Sequence, residues 1–216
     1  MPVSHRLWKV DASENRFFEE EFKQVSKTYV ADGHHRSAAA FNVGKMRQER
    51  ALAAGKTITG DEDFNHFMSI IYPSDNLEIM DYNRVIKTFN SDSSQDFMNK
   101  LRDTFADISP FVDQSDVRPK SFGVTSLLID GTWYECRIKS EAIEKSVKEH
   151  GGHRAVGALD VQVLNDRVLR DILGIENVRT SSTVDFVGGS RGLEGLIRRC
   201  QEDSVAAFCM HPVSID

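Results

Sequence analysis

Cysteine is scarce in this chain of 216 residues, and its three copies exclude a disulfide framework. Cys136, Cys200 and Cys209 are odd in number, lack the spacing of a metal site and lie in apolar stretches, which suits free thiols in a reducing compartment. No basic partner or helix N-terminus is adjacent in sequence to lower a thiol pKa. We therefore expect the cysteines to fill the core rather than to act as nucleophiles.

Long apolar runs and an excess of basic residues are also missing. No segment approaches the roughly 18 apolar residues that span a bilayer, and no apolar signal segment follows the N-terminus. The chain has 33 acidic and 27 basic residues and a net charge of -6, so no general basic field is available to coat nucleic acid or an anionic membrane. We therefore expect a soluble, cytoplasmic protein without a membrane or nucleic-acid partner, and its oligomeric state stays open.

The hydrophobic fraction of 40% is enough for a real core. With no internal repeat, heptad pattern or low-complexity linker, residues 1–216 are predicted to form a single α+β domain, a mixed β-sheet flanked by helices. Periodicity predicts helices over residues 13–26, 34–52, 97–105, 161–173 and 192–200. It predicts strands over residues 28–31, a hairpin of 67–72 with 77–80, a hairpin of 124–129 with 133–138, and strands at 183–187 and 205–210 that could be parallel.

The functional centre is predicted at a tight turn between the strand 28–31 and the following helix, which we call the 32–36 turn. It consists of Asp32, Gly33, His34, His35 and Arg36. A glycine allows positive φ or a close approach to a ligand, and the first turn of a helix leaves backbone N–H groups free to bind an anion.

Cations at this position are unfavourable for the helix alone, because its dipole already places roughly half a positive charge there. An anion such as phosphate would resolve this conflict, and the fork of Arg36 matches a phosphate or carboxylate in a bidentate manner. Asp32 could hold a metal or orient a histidine. A zinc site is disfavoured, because the HxxxH spacing of a helical zinc site is absent. The alternative is an ordinary surface turn whose histidines cap a helix.

Two further segments could also bind an anion. Arg84, with Asn83 and with Lys87 nearby, could be a second anchor for the same anion, or Arg84 could pair with Asp81 on the surface, where such pairs contribute little. The glycine-rich segment 188–192 precedes a helix but matches neither a Walker A motif nor a dinucleotide fingerprint, so a plain flexible turn is the competing interpretation.

The sequence resembles the bacterial and archaeal domain-of-unknown-function family numbered 1015. The resemblance is carried by the 32–36 turn with the preceding Tyr-Val-Ala and the small-residue helix after it. Weaker segments agree in order along nearly the whole chain, at residues 5–8, 82–86, 159–164 and 207–208. At the turn, that family is similar to the ParB and sulfiredoxin superfamily, which includes free-serine kinases whose related turn handles nucleotide phosphates.

The resemblance implies a ParB/sulfiredoxin-like element around the turn and a phosphate site within the turn, formed by Gly33, His34, His35 and Arg36. The candidate anchor Arg84 completes the predicted phosphate-binding set. It suggests a small-metabolite phosphotransferase that uses ATP or ADP, with Asp32, His34 and His35 as catalytic residues and Mg²⁺ on Asp32. The alternative is a non-catalytic nucleotide-binding switch or interaction module. Family members usually extend beyond both ends of this sequence, so we expect a fragment, and a fragment that lacks a general base would bind without catalysing.

Overall fold

The chain is divided into two compact units, Met1–Tyr72 and Pro73–Asp216. The structure is a computed structural model, and it describes residues 4–90 and 92–214. Each unit is described by itself below.

The first unit is helical in its described part. A 3₁₀ turn at Ala12–Glu14 leads into α1 (Asn15–Phe22), and α2 (His34–Ala53) is followed by a 3₁₀ turn at Asp63–Asn65. The long helix α2 agrees with the prediction for residues 34–52. Asp11 caps the first turn, because its carboxylate accepts from the Ser13 backbone N–H.

The second unit contains a six-stranded sheet with helices on both sides. Its strands are β1 (Tyr82–Ile86), β2 (Phe105–Pro110), β3 (Val124–Ile129), β4 (Thr132–Ile138), β5 (Val184–Gly188) and β6 (Ala206–Cys209). The helices are α3 (Ser94–Leu101), α4 (Ser140–Glu149), α5 (Arg154–Gly157), α6 (Asp160–Val163) and α7 (Gly192–Glu202). Helix α6 continues as a π-helix over Leu164–Arg170, and 3₁₀ turns lie at Ser74–Asn76 and Gly189–Arg191.

The α+β class is confirmed, but the strand pairing differs from the mixed sheet that we predicted. The strand order is β2-β4-β3-β6-β1-β5, and each of the described pairs is antiparallel. Strands β5 and β6 do run in the same direction, as the strand-helix-strand pattern suggested. They do not pair, because β1 lies between them and pairs with both.

Apolar side chains are buried on both faces of the sheet because the strands alternate. On β1, Ile86 belongs to the larger core, which includes Phe97 of α3 and Leu164 of the π-helix. Val85 belongs to the smaller core on the opposite face, together with Leu196 of α7. This alternation also decides which polar side chains of β1 share a face.

Three local predictions are wrong. Residues 28–31 and the proposed hairpin of 67–72 with 77–80 form no strand, and their large apolar side chains are exposed. The helix predicted over 97–105 ends at Leu101, and Phe105 instead begins β2. The Asp130-Gly131 hairpin is confirmed as β3 and β4.

Within the part of the chain that the structure describes, none of the helices combines the length and apolar character needed to cross a membrane.

Candidate functional site

The 32–36 turn is placed by the start of α2. Gly33 is the residue before the helix and has φ 84° and ψ 28°, a left-handed conformation that glycine adopts without strain. The guanidinium of Arg36 folds back over Gly33. A Cβ at position 33 would lie only 3.1 Å from Arg36 Nη2. Glycine therefore permits both the sharp turn and the close approach of Arg36.

Within the turn, Arg36 Nη2 donates to Asp32 Oδ2 at 3.0 Å. Both side chains are open to solvent, at 80% exposure for Arg36 and 92% for Asp32. His34 and His35 are exposed as well. Asp32 therefore supplies part of the negative charge that the cationic helix end requires, but it does so from an exposed position.

Backbone N–H groups at the start of α2 have no hydrogen-bond acceptor among the described residues. Helix α2 has no side-chain cap, and its first turn carries no acidic residue. The Ser37 N–H donates to the Gly33 carbonyl at 2.8 Å, but no described group accepts from the N–H of His34, His35 or Arg36. These are the donors that a helix leaves unpaired and that can bind an anion.

A small residue of α2 allows a close contact within the first unit. Gly44 lies against the backbone of the 3₁₀ turn that follows, since a Cβ there would be 2.8 Å from the Phe64 carbonyl oxygen. The described part of the first unit contains no strand. The helix thus packs on a turn of its own unit.

Arg84 lies in the second unit, on β1, and is 6% exposed. Its Nη1 donates to the Tyr82 carbonyl, and its Cζ lies 5.6 Å and 5.4 Å from the ring centroids of Tyr82 and Phe186. No described carboxylate forms an ion pair with it, and its Nε is buried without a partner. Burial lowers the pKa of Arg84 to about 10.

The surface pairing of Arg84 with Asp81 that we considered does not form. Asp81 instead accepts from Asn83 Nδ2 and lies 3.9 Å from Arg118 Nη1. Asn83 Oδ1 accepts from the Met210 N–H at 2.8 Å. Asn83 is therefore occupied by structural hydrogen bonds, which leaves Arg84 as the anion-binding candidate of β1.

In the glycine-rich segment before α7, Gly189 is tightly packed. A Cβ on Gly189 would lie 2.8 Å from Met80 Cβ and 2.9 Å from the Asp81 carbonyl oxygen. Glycine is needed here for the close approach of two backbone segments. This packing explains the glycine without an anion.

The cysteines behave as core residues. Burial raises the pKa of Cys200 to about 11 and that of Cys209 to about 12, and it raises the pKa of Cys136 further. Among the described residues, no group of three or more His, Cys, Asp or Glu side chains could hold a metal ion. A magnesium ion on Asp32 alone stays a prediction.

Sequence reasoning missed a buried polar cluster between α4 and the π-helix. Asp166 accepts from Ser146 Oγ at 2.7 Å, lies 3.0 Å from His150 Nε2, and accepts from Gln162 and Arg170. Ser146 and His150 share the Asp166 carboxylate, no hydrogen bond joins their side chains among the described contacts, and Ser146 is fully buried. The cluster therefore cross-links two helices and lacks the nucleophile–base contact of a catalytic triad. The other members lie 4 to 20 positions from Asp166 in sequence, and the contact between the two helices that brings them together cannot be read from local spacing.

A further unpredicted feature is a cleft of about 570 Å³ at the start of α6. Asp160 lines it and accepts from the Gly123 N–H at 3.0 Å with both carboxylate oxygens. Burial raises the pKa of Asp160. The bond to Gly123 fixes the start of β3 against α6, so this carboxylate has a structural explanation.

Residues 1–162 match the protein family described as "Protein of unknown function (DUF1015)", over a range that includes the 32–36 turn and Arg84. The chain belongs to this family. No curated protein and no solved structure significantly matches the chain. The DUF1015 assignment confirms the resemblance seen in the sequence, while the ParB/sulfiredoxin-like element stays a prediction.

Proposed function

We propose that this DUF1015 protein binds the phosphate groups of a small molecule, most simply a nucleotide, at the 32–36 turn. The observation that carries the proposal is the start of α2, where unpaired backbone N–H groups and three cationic or protonatable residues directly follow a left-handed glycine. A phosphate bound there would accept from the backbone, from Arg36 and from the histidines, and its charge would favour the helix dipole.

The Asp32–Arg36 pair is a weak competitor for such a ligand. Exposed ion pairs contribute about 0–1 kcal/mol, because solvent screens them and both side chains lose freedom. A phosphate carries more charge than one carboxylate and offers oxygens at the spacing of the guanidinium fork. We expect phosphate to replace Asp32 as the partner of Arg36.

The finer proposal is a phosphotransferase that uses ATP or ADP. Once Arg36 is engaged by phosphate, Asp32 would be available to hold Mg²⁺ or orient an acceptor hydroxyl. Mg²⁺ needs only one or two carboxylates when phosphates and water complete its shell. His34 and His35 would serve as proton-transfer groups, and catalysis would consist largely of positioning and charge stabilisation.

Nucleotide binding without turnover is the second candidate. It is favoured by the lack of a metal-binding group of three His, Cys, Asp or Glu among the described residues. In that case the bound nucleotide would change the state of the protein for a partner to recognise.

Titration calorimetry with ATP, ADP and pyrophosphate, each with and without Mg²⁺, tests the proposal. Arg36→Ala should weaken binding at least about tenfold, the loss expected from removing a charged hydrogen-bond donor to phosphate. Arg47→Ala is the matched control, because Arg47 is an exposed arginine of the same helix. Equal affinities in the two variants would refute the site. Transfer of labelled phosphate to a metabolite mixture distinguishes the phosphotransferase from the binding module.

A further inference from the structure

Arg84 stands among aromatic side chains on one face of the sheet. Its direct neighbours across the strand pairs are Phe186 on β5 and Phe208 on β6. Tyr82 and Ile86 share its face of β1 by strand alternation. The rings of Tyr82 and Phe186 stack at 5.2 Å with an interplanar angle of 8°. The strand neighbours of this cation on its face of the sheet are therefore apolar or aromatic.

The acidic residues nearest to Arg84 along β1 and β5 face the opposite side of the sheet from Arg84. Asp81 and Asp185 alternate with the residues around Arg84, and both are engaged elsewhere. Asp81 accepts from Asn83, while Asp185 pairs with Arg199 at 3.0 Å. Buried charges are normally paired, because a lone charge in a poorly hydrated place is costly. Arg84 is thus a buried cation whose counter-charge is not supplied by any described residue.

One edge of the Arg84 guanidinium has no hydrogen-bond acceptor among the described residues. Nη1 is engaged by the Tyr82 carbonyl, whereas Nε is buried without a partner and no described group accepts from Nη2. Nε and Nη2 form the side-on fork that binds two oxygens of one carboxylate or phosphate. The fork is held in orientation by the two rings under the guanidinium. Tyr82 is 54% exposed, so the edge of the cluster is open to solvent.

We infer that Arg84, with the stacked rings of Tyr82 and Phe186, forms an oxyanion-binding site in the second unit that binds phosphate or carboxylate through the Nε–Nη2 edge. The inference rests on the surroundings of Arg84 alone and does not depend on the 32–36 turn. Low hydration around the guanidinium strengthens its attraction for an anion. Two oxygens of the ligand satisfy both free donors.

The fork is tested directly by nitrogen–proton correlation spectra of the arginine Nε–H groups in the full chain. The Arg84 signal is assigned by its loss in Arg84→Lys. It should shift in a saturable manner on titration with inorganic phosphate or with acetate, while chloride at equal ionic strength should leave it in place. The comparison of phosphate with acetate identifies which oxyanion the site prefers. An Arg84 signal that moves with neither oxyanion would overturn the inference.

Three variants separate this site from the turn and from a purely structural role. Arg84→Met replaces the cation by an apolar chain of similar length, and Arg84→Lys keeps the charge without the fork. Both should raise the dissociation constant of the preferred oxyanion at the second-unit site at least about tenfold. Arg198→Met removes an exposed arginine of the same unit and should change the dissociation constant of that oxyanion by no more than about twofold.

Ligand-free stability supplies the second measurement. A structural arginine would make Arg84→Met less stable than the wild type, whereas an unpaired buried cation makes that variant equally or more stable. Loss of oxyanion binding with unchanged or raised stability is the expected result. Unchanged affinity in Arg84→Met, or reduced stability without any oxyanion binding in the wild type, refutes the site. If Arg36→Ala abolishes binding and Arg84→Met does not, the turn alone binds the anion, and the proposed function survives without this inference.

Discussion

Burial decides what the three cysteines can do, because a thiol reacts as its thiolate and burial disfavours that charged form. Cys136 and Cys209 are buried and Cys200 is half-buried. Burial raises the pKa of Cys200 to about 11 and that of Cys209 to about 12. We predict that iodoacetamide at pH 8 modifies Cys200 slowly and leaves the other two thiols intact until the protein is unfolded.

Mass spectrometry of peptides alkylated before and after denaturation checks this prediction. Modification of Cys209 in the native protein, at a rate comparable to a free thiol, would contradict it. That result would mean that the Asp81 side of the sheet opens to solvent.

The candidate anion-binding residues could be predicted from the sequence, but most of their contact partners could not. The 32–36 turn could be recognised because its glycine, cations and following helix are contiguous. Arg84 could be named, but its isolation could not be foreseen, because Phe186 and Phe208 reach it only through the register of three strands. The alternative, a pair of Arg84 with Asp81, does not form for a simple reason. Residues an odd number of positions apart on a strand face opposite sides.

At the scale of elements, predictions succeeded where the signal was local. The Asp130-Gly131 hairpin formed as expected, and both turn residues have positive φ. The strands predicted at 28–31 and 67–72 do not form. A high β propensity means that a segment fits beside neighbouring strands, and it does not provide those neighbours. Helix α4 and strand β2 were missed. Their burial depends on contacts with β4 and the π-helix.

The start of α3 gives an element-scale prediction. Ser93 Oγ accepts from the Asp96 N–H at 3.1 Å, and Asp96 accepts from the Ser93 N–H at 3.2 Å, which forms a capping box. The hydrogen bonds from Ser93 lower the pKa of Asp96. Ser93→Ala should reduce the free energy of unfolding by about 1 kcal/mol near neutral pH. Ser182→Ala, at an exposed serine, is the control.

The effect of Ser93→Ala should depend on pH in a definite direction. A carboxyl group whose folded pKa is lowered stabilises the fold above its unfolded pKa, and this contribution is lost as pH falls through the lowered value. The stability difference between wild type and Ser93→Ala should therefore shrink on acidification below about pH 4, the ordinary range of an aspartate. Urea unfolding at several pH values measures it. A difference that stays constant or grows toward low pH would show that the Asp96 carboxylate half of the capping box does not contribute to the stabilisation.

At the scale of the whole molecule, the two units differ in how much they bury. The second unit has both faces of its sheet covered by apolar cores. In the first unit, none of residues 4–72 is fully buried, and large apolar side chains such as Trp8, Phe41 and Met68 are 72% or more exposed. Local stability follows buried contacts, so the units should open with different free energies.

Hydrogen exchange should make this difference visible, and it links stability to the proposed ligand. Amides of β3 and β6, in the middle of the sheet, should exchange at least about a hundredfold more slowly than those of α2, because α2 has few buried contacts to break before it opens. A ligand that binds only the ordered turn stabilises it by mass action. Saturating ADP should therefore slow exchange in α2 of the wild type and of Arg47→Ala, but not in Arg36→Ala. Slow exchange of α2 without nucleotide would show that this helix is stabilised by something other than its own contacts, and protection that survives Arg36→Ala would place the ligand elsewhere.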